Sequence, residues 1–488
     1  MKRILLWLLA AALAVLLTVP AAGAVYTDIP AGAALSAEVQ KAVQYGLMKG
    51  YSATRFGYGD PMTRAQFVTV LSRMMDWAAS PAETVITAAM ELPDNLSDAY
   101  RTAINCAVKN DVIDANEPFR PNTRITRGEM AEMLVRALGL KSAAALSEKT
   151  ISLPFEDVSN RRGYITIAYC IGMTKGSSPT AFSPDSTATR SQAAAMLVRI
   201  YEKLREKTDL VHGFYAISSY SQLSLTDYMD TVSAGWSRMT WDGERAQLLT
   251  TAAGGNEYYI PSSYREVTSY IEDGRKRLHL NVYMDGIGLR ELLASPEGRG
   301  QAVAEIVREL TVPYREIERN PYSGVTIDFE GLRAASKNDF TAFLRDLSSS
   351  VHGIGKTLYV CVSPVLSSSP YYDGYDYSAI NKLADQIILM AYDYDARDLS
   401  AFVGTEYYKN IAPAPIDQVF VSLEAIASAV EDTGKVALGF SCKNIAWQID
   451  ENDRLVSGRP IYPTNDILYK RLEQPDTIRG WSDSYQTS

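Results

Sequence analysis

Tyr322-Ser323-Gly324-Val325-Thr326-Ile327-Asp328-Phe329-Glu330 decides how the C-terminal part of this chain is read. Val325, Ile327 and Phe329 are apolar and alternate with Thr326, Asp328 and Glu330. Successive side chains of a strand point to opposite faces, so the stretch reads as a strand with one apolar and one polar face. Asp328 and Glu330 are neighbours on the polar face, about 7 Å apart along the strand. Two carboxylates at that spacing repel, and the pKa of one is expected to rise. That suits a pair in which one acid holds its proton near neutral pH while the other stays charged. Spacing alone leaves a second reading open, a strand end with two solvated acids.

On both sides of this strand, short apolar runs alternate with longer helical ones. Val211–Ile217, Val232–Met239 and Arg277–Met284 read as the first three strands, and the Glu330 strand is the fourth. Thr357–Ser363, Gln386–Asp393 and Lys435–Phe440 follow, with helices expected near 300–309, 338–353 and 416–433. Strands alternating with helices argue for a parallel α/β fold. The count points to a (β/α)₈ TIM barrel, whose chemistry gathers at the C-terminal strand ends, where Glu330 and Tyr392 fall. The residues after Phe440 contain Trp447, Tyr462, Tyr469 and Trp481 but no apolar eighth strand. The barrel is therefore expected to be incomplete at its C-terminal side, with an edge of unpaired backbone groups.

Gly324-Val-Thr-Ile-Asp328-Phe-Glu330 resembles the fourth-strand signature Asp-Gly-x-Asp-x-Asp-x-Glu of family 18 glycoside hydrolases, and Met390-Ala-Tyr392-Asp393 resembles the Met-x-Tyr-Asp motif of that family's sixth strand. The resemblance implies that Glu330 is the general acid and that Asp328 and Tyr392 hold the substrate's N-acetyl group. Asp393 is implied to line the same cleft. Ser323 and Thr326 depart from the signature, standing where the family usually has Asp. The stretch from Ala412 to Gly439 resembles the peptidoglycan- and spore-associated branch. Tyr215, Trp236 and Tyr394 are candidates to stack on sugars, with core packing the competing reading. The implied reaction is retaining hydrolysis of a β-1,4 bond beside N-acetylglucosamine, without a cofactor. The alternative is a non-catalytic, surface-anchored glycan-binding protein on a decayed barrel.

The first two hundred residues are of another kind. A basic start, an apolar run to Val19, Pro20 and Ala22-Gly23-Ala24 read as a signal peptide over 1–24, with cleavage after Ala24. Thr63-Arg64-Ala-Gln66, Thr126-Arg127-Gly-Glu129 and Thr189-Arg190-Ser-Gln192 then recur at one constant interval, each after a turn with Phe56, Phe119 or Phe182 at the same interval. Each Thr can cap a helix, with Gln or Glu three residues on completing a capping box. One helix–loop–helix unit buries too little alone, so three are expected to close around a shared all-α core. The pattern is similar to the S-layer homology domain, with repeats expected over 25–85, 86–150 and 151–205 and the barrel over 206–488. The resemblance implies attachment to secondary cell-wall polysaccharide through Arg64, Arg127 and Arg190, and hence a secreted protein held at the bacterial wall. The competing reading for each arginine is an internal ion pair beside a helix start.

Composition sets limits. The chain has 488 residues, 47% hydrophobic and 22% charged, enough for several packed domains. A net charge of −9 argues against a nucleic-acid partner. After the signal peptide no stretch is long and apolar enough to span a bilayer. Cys106, Cys170, Cys361 and Cys442 are far apart and read as buried apolar residues; with His212, His279 and His352 they show no metal-ligand spacing, so no metal is expected.

Overall fold

The computed structural model describes residues 26–77, 85–206, 208–314, 316–364, 373–392, 394, 398–405, 408, 413–441, 443–452 and 454–478. The signal-peptide reading, Asp393, Cys442 and Trp481 lie outside these residues. The chain divides into two compact units, up to Lys207 and from Thr208.

The first unit is helical. Its helices are α1 (Ser36–Gln44), α2 (Arg64–Met74), α3 (Asp98–Lys109), α4 (Arg127–Ala137), α5 (Lys141–Thr150), α6 (Arg162–Cys170) and α7 (Arg190–Arg205). The threonines cap α2, α4 and α7 as their sequence requires: Thr63, Thr126 and Thr189 each accept from an amide three residues on, and Gln66, Glu129 and Gln192 each accept the Thr amide in return. The extended residues before these caps form a closed ring. The Met62 amide donates to Ala188 O (3.1 Å), Ala188 to Ile125 O (2.9 Å), and Ile125 to Met62 O (2.9 Å). Three stretches, each one repeat interval from the next, thus take equivalent places. Phe56, Phe67, Met130, Leu134, Phe182 and Leu197 fill one core beneath them.

The acids at the head of each copy differ in use. Asp28 accepts the Phe56, Gly57 and Tyr58 amides, and Asp157 accepts those of Phe182 and Ser183. In the middle copy the Phe119 amide goes to Met90 O instead. That copy also lacks the glycine that ends the first helix. Gly46 and Gly172 have φ of +71° and +77°, and Asp111 takes the corresponding left-handed position at +55°. A short polar side chain tolerates that geometry better than other non-glycine residues do. One cysteine departs from expectation: Cys170, at the end of α6, is exposed, whereas Cys106 and Cys361 are buried.

The second unit is built on a sheet. Its strands are β1 (His212–Tyr215), β2 (Thr231–Trp241), β3 (Ala246–Leu249), β4 (Arg277–Met284), β5 (Gly324–Phe329), β6 (Thr357–Val362), β7 (Gln386–Leu389) and β8 (Val436–Leu438). All pair in parallel in the order β1-β2-β4-β5-β6-β7-β8, except β3, which folds back antiparallel on β2. The antiparallel excursion is absent from the sequence reading; the seven parallel strands match its count. Helices α8 (Tyr264–Asp273), α9 (Gly286–Ala294), α10 (Pro296–Thr311), α11 (Lys337–Gly353), α12 (Tyr377–Leu383) and α13 (Ile416–Ala429) fall between strands. A bulge in β2 between Ala234 and Ser237 shifts the register on β4.

The sheet curls strongly. His212 of β1 and Tyr359 of β6 have ring centroids 5.4 Å apart. In a flat sheet those strands, four steps apart, would be separated by about 19 Å. The sheet therefore wraps toward a barrel, apolar outward against its helices and largely polar inward. On the outer face Phe329 stacks on Phe343 at 5.3 Å, and Trp236 meets Tyr322 at 6.5 Å. Among the described residues no strand joins β8 back to β1. Beyond β8 there are antiparallel bridges at Ala446–Ile461 and Ile449–Leu455 and a helix α14 (Asn465–Leu472).

Candidate active site

The inner face of the curled sheet is layered. At its lower level, His279 contacts Thr326 Oγ1 through Nδ1 (3.2 Å) and Thr357 Oγ1 through Nε2 (2.9 Å), while Thr326 also meets Ser233 Oγ at 2.6 Å. Both ring nitrogens of His212 are buried without a partner among the described residues. Burial holds both imidazoles neutral, His212 down to about 4 and His279 to about 3. Thr326, at an Asp position of the family signature, is thus neutral in a neutral layer. Ser323, the other departure, donates its hydroxyl to Leu278 O and ties β5 to β4.

One level up, β4 sets Asn281 opposite Thr326 and Tyr283 opposite Asp328. Asn281 Nδ2 donates to Asp328 Oδ2 over 3.4 Å, a weak bond. Asp328 Oδ1 and Asn281 Oδ1 are both buried with no partner among the described residues. Burial pushes the Asp328 carboxyl up to about 6, against the Asn281 amide, which favours the charged form. The raised pKa falls on Asp328, and its cause is desolvation rather than repulsion from Glu330, the cause read from spacing.

Glu330 follows directly on β5. Its amide donates to Met284 O (3.0 Å), the Tyr375 hydroxyl donates to Phe329 O (2.7 Å), and Gly331 turns the chain away at φ +72°. Burial raises the Tyr258, Tyr283, Tyr375 and Cys361 hydroxyl or thiol pKa values, and the Glu330 charge raises each further. The carboxylate therefore lies near these four groups. Tyr258 and Tyr283 stack at 4.8 Å with an 11° tilt, and Arg238 covers Tyr283 at 5.3 Å while pairing with Asp285 at 2.9 Å. Sequence reading passed over Tyr258, Tyr283, Arg238 and Asp285. The available signal was the alternation of Asn281 and Tyr283 within β4, in step with Thr326 and Asp328.

Tyr392, just past β7, packs on the inner cluster of Tyr359, Cys361, Ile388 and Met390. Cys361 feels both Asp328 and Glu330, so Tyr392 shares the face of the two carboxylates. Gly439 leaves room for it: a Cβ there would stand 2.9 Å from Tyr392 Cε1. Two other candidates go elsewhere. Trp236 is fully buried and Tyr215 nearly so, and their rings meet at 6.4 Å in the outer core. Neither offers a face to a sugar, because the alternation of β1 and β2 turns both toward the helices. Tyr394 likewise packs on that core, its hydroxyl 2.8 Å from Ser422 Oγ.

A curled parallel sheet with two carboxylates at its C-terminal rim defines an open barrel-type α/β domain, and it follows a helical repeat unit in the chain. Residues 185–484 match glycosyl hydrolases family 18, and the chain belongs to that family. Residues 25–68 match the S-layer homology domain. YdhD of Bacillus subtilis (strain 168), named as a sporulation-specific glycosylase, is 34% identical over 107 residues, 22% of this chain and 24% of that protein. The surface-layer 125 kDa protein of Lysinibacillus sphaericus is 29% identical over 177 residues, 34% of this chain and 14% of that one. The aligned parts thus span a quarter or less of these relatives. Among solved structures, the spore cortex-lytic enzyme SleL of Bacillus megaterium QM B1551 is similar over 56% of this chain and 59% of its own, with 15% identity and a TM-score of 0.44.

Proposed function

We propose that this chain is a wall-anchored glycosidase that cleaves β-1,4 bonds beside N-acetylglucosamine in peptidoglycan or a chitin-like glycan. The observation that carries the reading is the rim pair: Asp328 and Glu330 are two residues apart at the C-terminal end of β5, with Tyr283 opposite Asp328 and Tyr392 on the same inner face. Glu330 donates its proton to the glycosidic oxygen as the bond from that oxygen to the anomeric carbon breaks. The carbonyl oxygen of the substrate's own acetamido group bonds to the anomeric carbon from the opposite face, since family 18 lets the substrate supply the nucleophile. Asp328 and Tyr392 hold that acetamido group, and Asp328 offsets the charge growing on its nitrogen. Glu330, now a carboxylate, takes a proton from water whose oxygen attacks the anomeric carbon, giving net retention. Asp393 belongs to the same cleft in this reading.

The helical unit, as three S-layer homology repeats over 25–85, 86–150 and 151–205, would hold the enzyme to secondary wall polysaccharide after export. Wall attachment makes peptidoglycan the preferred substrate. The second reading, a non-catalytic glycan binder, is favoured by Thr326 and Ser323 in place of carboxylates. Release of reducing ends from peptidoglycan and chitooligosaccharides separates the two. Turnover by the full chain that drops by about 10³-fold or more in Glu330→Gln supports the glycosidase. Binding without turnover in both proteins would sink it and leave the binder.

A further inference from the structure

Arg238 stands on the inner face of β2 because that strand is irregular. Up to Trp236 the strand alternates, and Val232, Ala234 and Trp236 pack into the outer core. Strict alternation would put Arg238 on that face as well, since it is two residues past Trp236. Met239 belongs to the outer core instead, and Trp241 packs against it. The period thus slips by one residue between Trp236 and Met239, at the bulge where Ala234 pairs with Leu280 and Ser237 with Val282. A bulge adds one residue to a strand and re-aims the side chains that follow. Here it turns Arg238 from the helix-covered face into the cleft. Ser237 is buried within the bulge, and its hydroxyl donates to Asn281 O at 2.8 Å, which ties the irregular stretch to β4.

The consequence is a row across β2, β4 and β5. Arg238 pairs with Tyr283, and Tyr283 with Asp328. Two strand steps, about 10 Å along the sheet, separate the strand of the arginine from that of the acid. Tyr283, with Tyr258 stacked on it at 4.8 Å, fills the space between. The Arg238 guanidinium lies 5.3 Å from the Tyr283 ring centroid, and its Nη2 donates to Asp285 Oδ1 at 2.9 Å. Its Nε and Nη1 make no hydrogen bond among the described residues. Nη2 carries two protons and Asp285 takes one, so one edge of the fork remains for a second acceptor. The contacts present do not account for an arginine at this place. The side chains of Arg238 and Asp285 are 38% and 46% exposed, and an ion pair so open to water contributes little. Tyr283 is already held by the Tyr258 stack. What the bulge brings into the cleft is a half-exposed fork, one aromatic side chain away from the acids.

Resting on the glycosidase reading, we infer that Arg238 is a specificity-determining residue, which binds a carboxylate on the sugar beside the one held by Asp328 and so selects peptidoglycan over a chitin-like glycan. A chitin-like glycan carries only hydroxyl and acetamido groups. In peptidoglycan the neighbour of each N-acetylglucosamine carries a lactyl ether, whose carboxyl is either free or extended by a peptide with carboxylates of its own. Both sources offer the same planar group, which a guanidinium edge meets at two points. Of the rim acids, Asp285 occupies a single proton of the fork, and Glu330 enters the proposed reaction protonated.

The test is turnover by the full chain on glycan strands with their peptides, on strands freed of peptide by an amidase, on each of these after reduction of the carboxyl groups to alcohols, and on chitooligosaccharides. Wild type should show kcat/KM about tenfold or more higher on an unreduced strand than on its reduced counterpart. That preference on peptide-free strands names the lactyl carboxylate, and its confinement to peptide-bearing strands names the peptide's. In Arg238→Gln the ratio should fall to within about twofold of unity, and Arg238→Lys, which keeps the charge without the fork, should retain part of it. An Arg238→Gln chain that loses turnover equally on reduced and unreduced strands makes the arginine a support for Tyr283, and overturns the assignment while the glycosidase stands. A wild-type ratio near unity on both kinds of strand does the same without any variant. A wild type that turns over neither the strands nor chitooligosaccharides overturns the glycosidase and the assignment together.

Discussion

Asp328 carries a cost in stability at neutral pH that its burial explains. Its folded pKa of about 6 lies above the ordinary 3.8, so the folded state holds its proton more tightly than the unfolded chain. The penalty is absent below pH 4, grows as pH rises from 4 to 6, and is complete above 6. About two units correspond to a cost on the order of 2 to 3 kcal/mol at neutral pH. Asp328→Asn removes the buried charge while keeping the shape of the side chain. The expected outcome is a melting temperature raised at pH 7 but nearly unchanged at pH 4, with glycosidase turnover lost. A variant that is destabilised at pH 7 would contradict the desolvation account. The Asp328/Glu330 pair was legible because a two-residue period is a local property of the chain. Tyr258 and Tyr283 were not, because their stacking depends on a loop returning to β4. Trp236 and Tyr215 misled for a related reason: an aromatic in a strand carries no label for its face until the register is known.

At the scale of elements, the three threonine caps were readable and the pairing between copies was not. Thr126 stands at a complete capping box, and its loss by Thr126→Ala should cost about 1 kcal/mol, read as a shift in denaturant midpoint without a change in slope. The constant spacing of the Thr-Arg motifs announced three equivalent helix starts; it did not announce that Met62, Ala188 and Ile125 would close a ring, which is a pairing between copies. In the sheet, β5 was read to within two residues at each end because its apolar and polar residues alternate. β8 is three residues long and only half-buried, and β3 is four residues whose pairing depends on a tight return from β2. Edge strands open at low free-energy cost compared with central ones. Hydrogen exchange should therefore be much faster at Val436–Leu438 than at Val325–Ile327. Equal protection would mean that the β8 edge is covered.

At the scale of the molecule, the two units have separate cores. The cluster around Phe67, Leu134 and Leu197 shares no residue with the one around Trp236, Phe329 and Phe343. They should melt as two calorimetric transitions rather than one. Acid should move only one of them at first. The three histidines of the chain all lie beyond Lys207. His212 and His279 are depressed to about 4 and about 3 in the fold. The unfolded chain binds protons at these sites near pH 6.5. Between that value and the folded ones the unfolded state holds more protons, so stability falls as pH falls. At pH 5 each histidine has cost about 2 kcal/mol, whereas relief at Asp328 returns only about 1 kcal/mol over the same change. The net effect lowers the sheet unit. In the helical unit Asp28, Asp157, Glu129 and Glu202 are all held below their ordinary carboxylate values, so they weaken it only once pH falls below about 4. Scans from pH 7 to pH 5 should show one transition moving down by several degrees and the other nearly still. His212→Phe, which removes two bare ring nitrogens beside Phe214 and Tyr359, should leave stability at pH 7 equal or higher and reduce that movement. Two transitions that move together, or a His212→Phe chain as acid-sensitive as wild type, would show that the buried imidazoles do not set the acid limit.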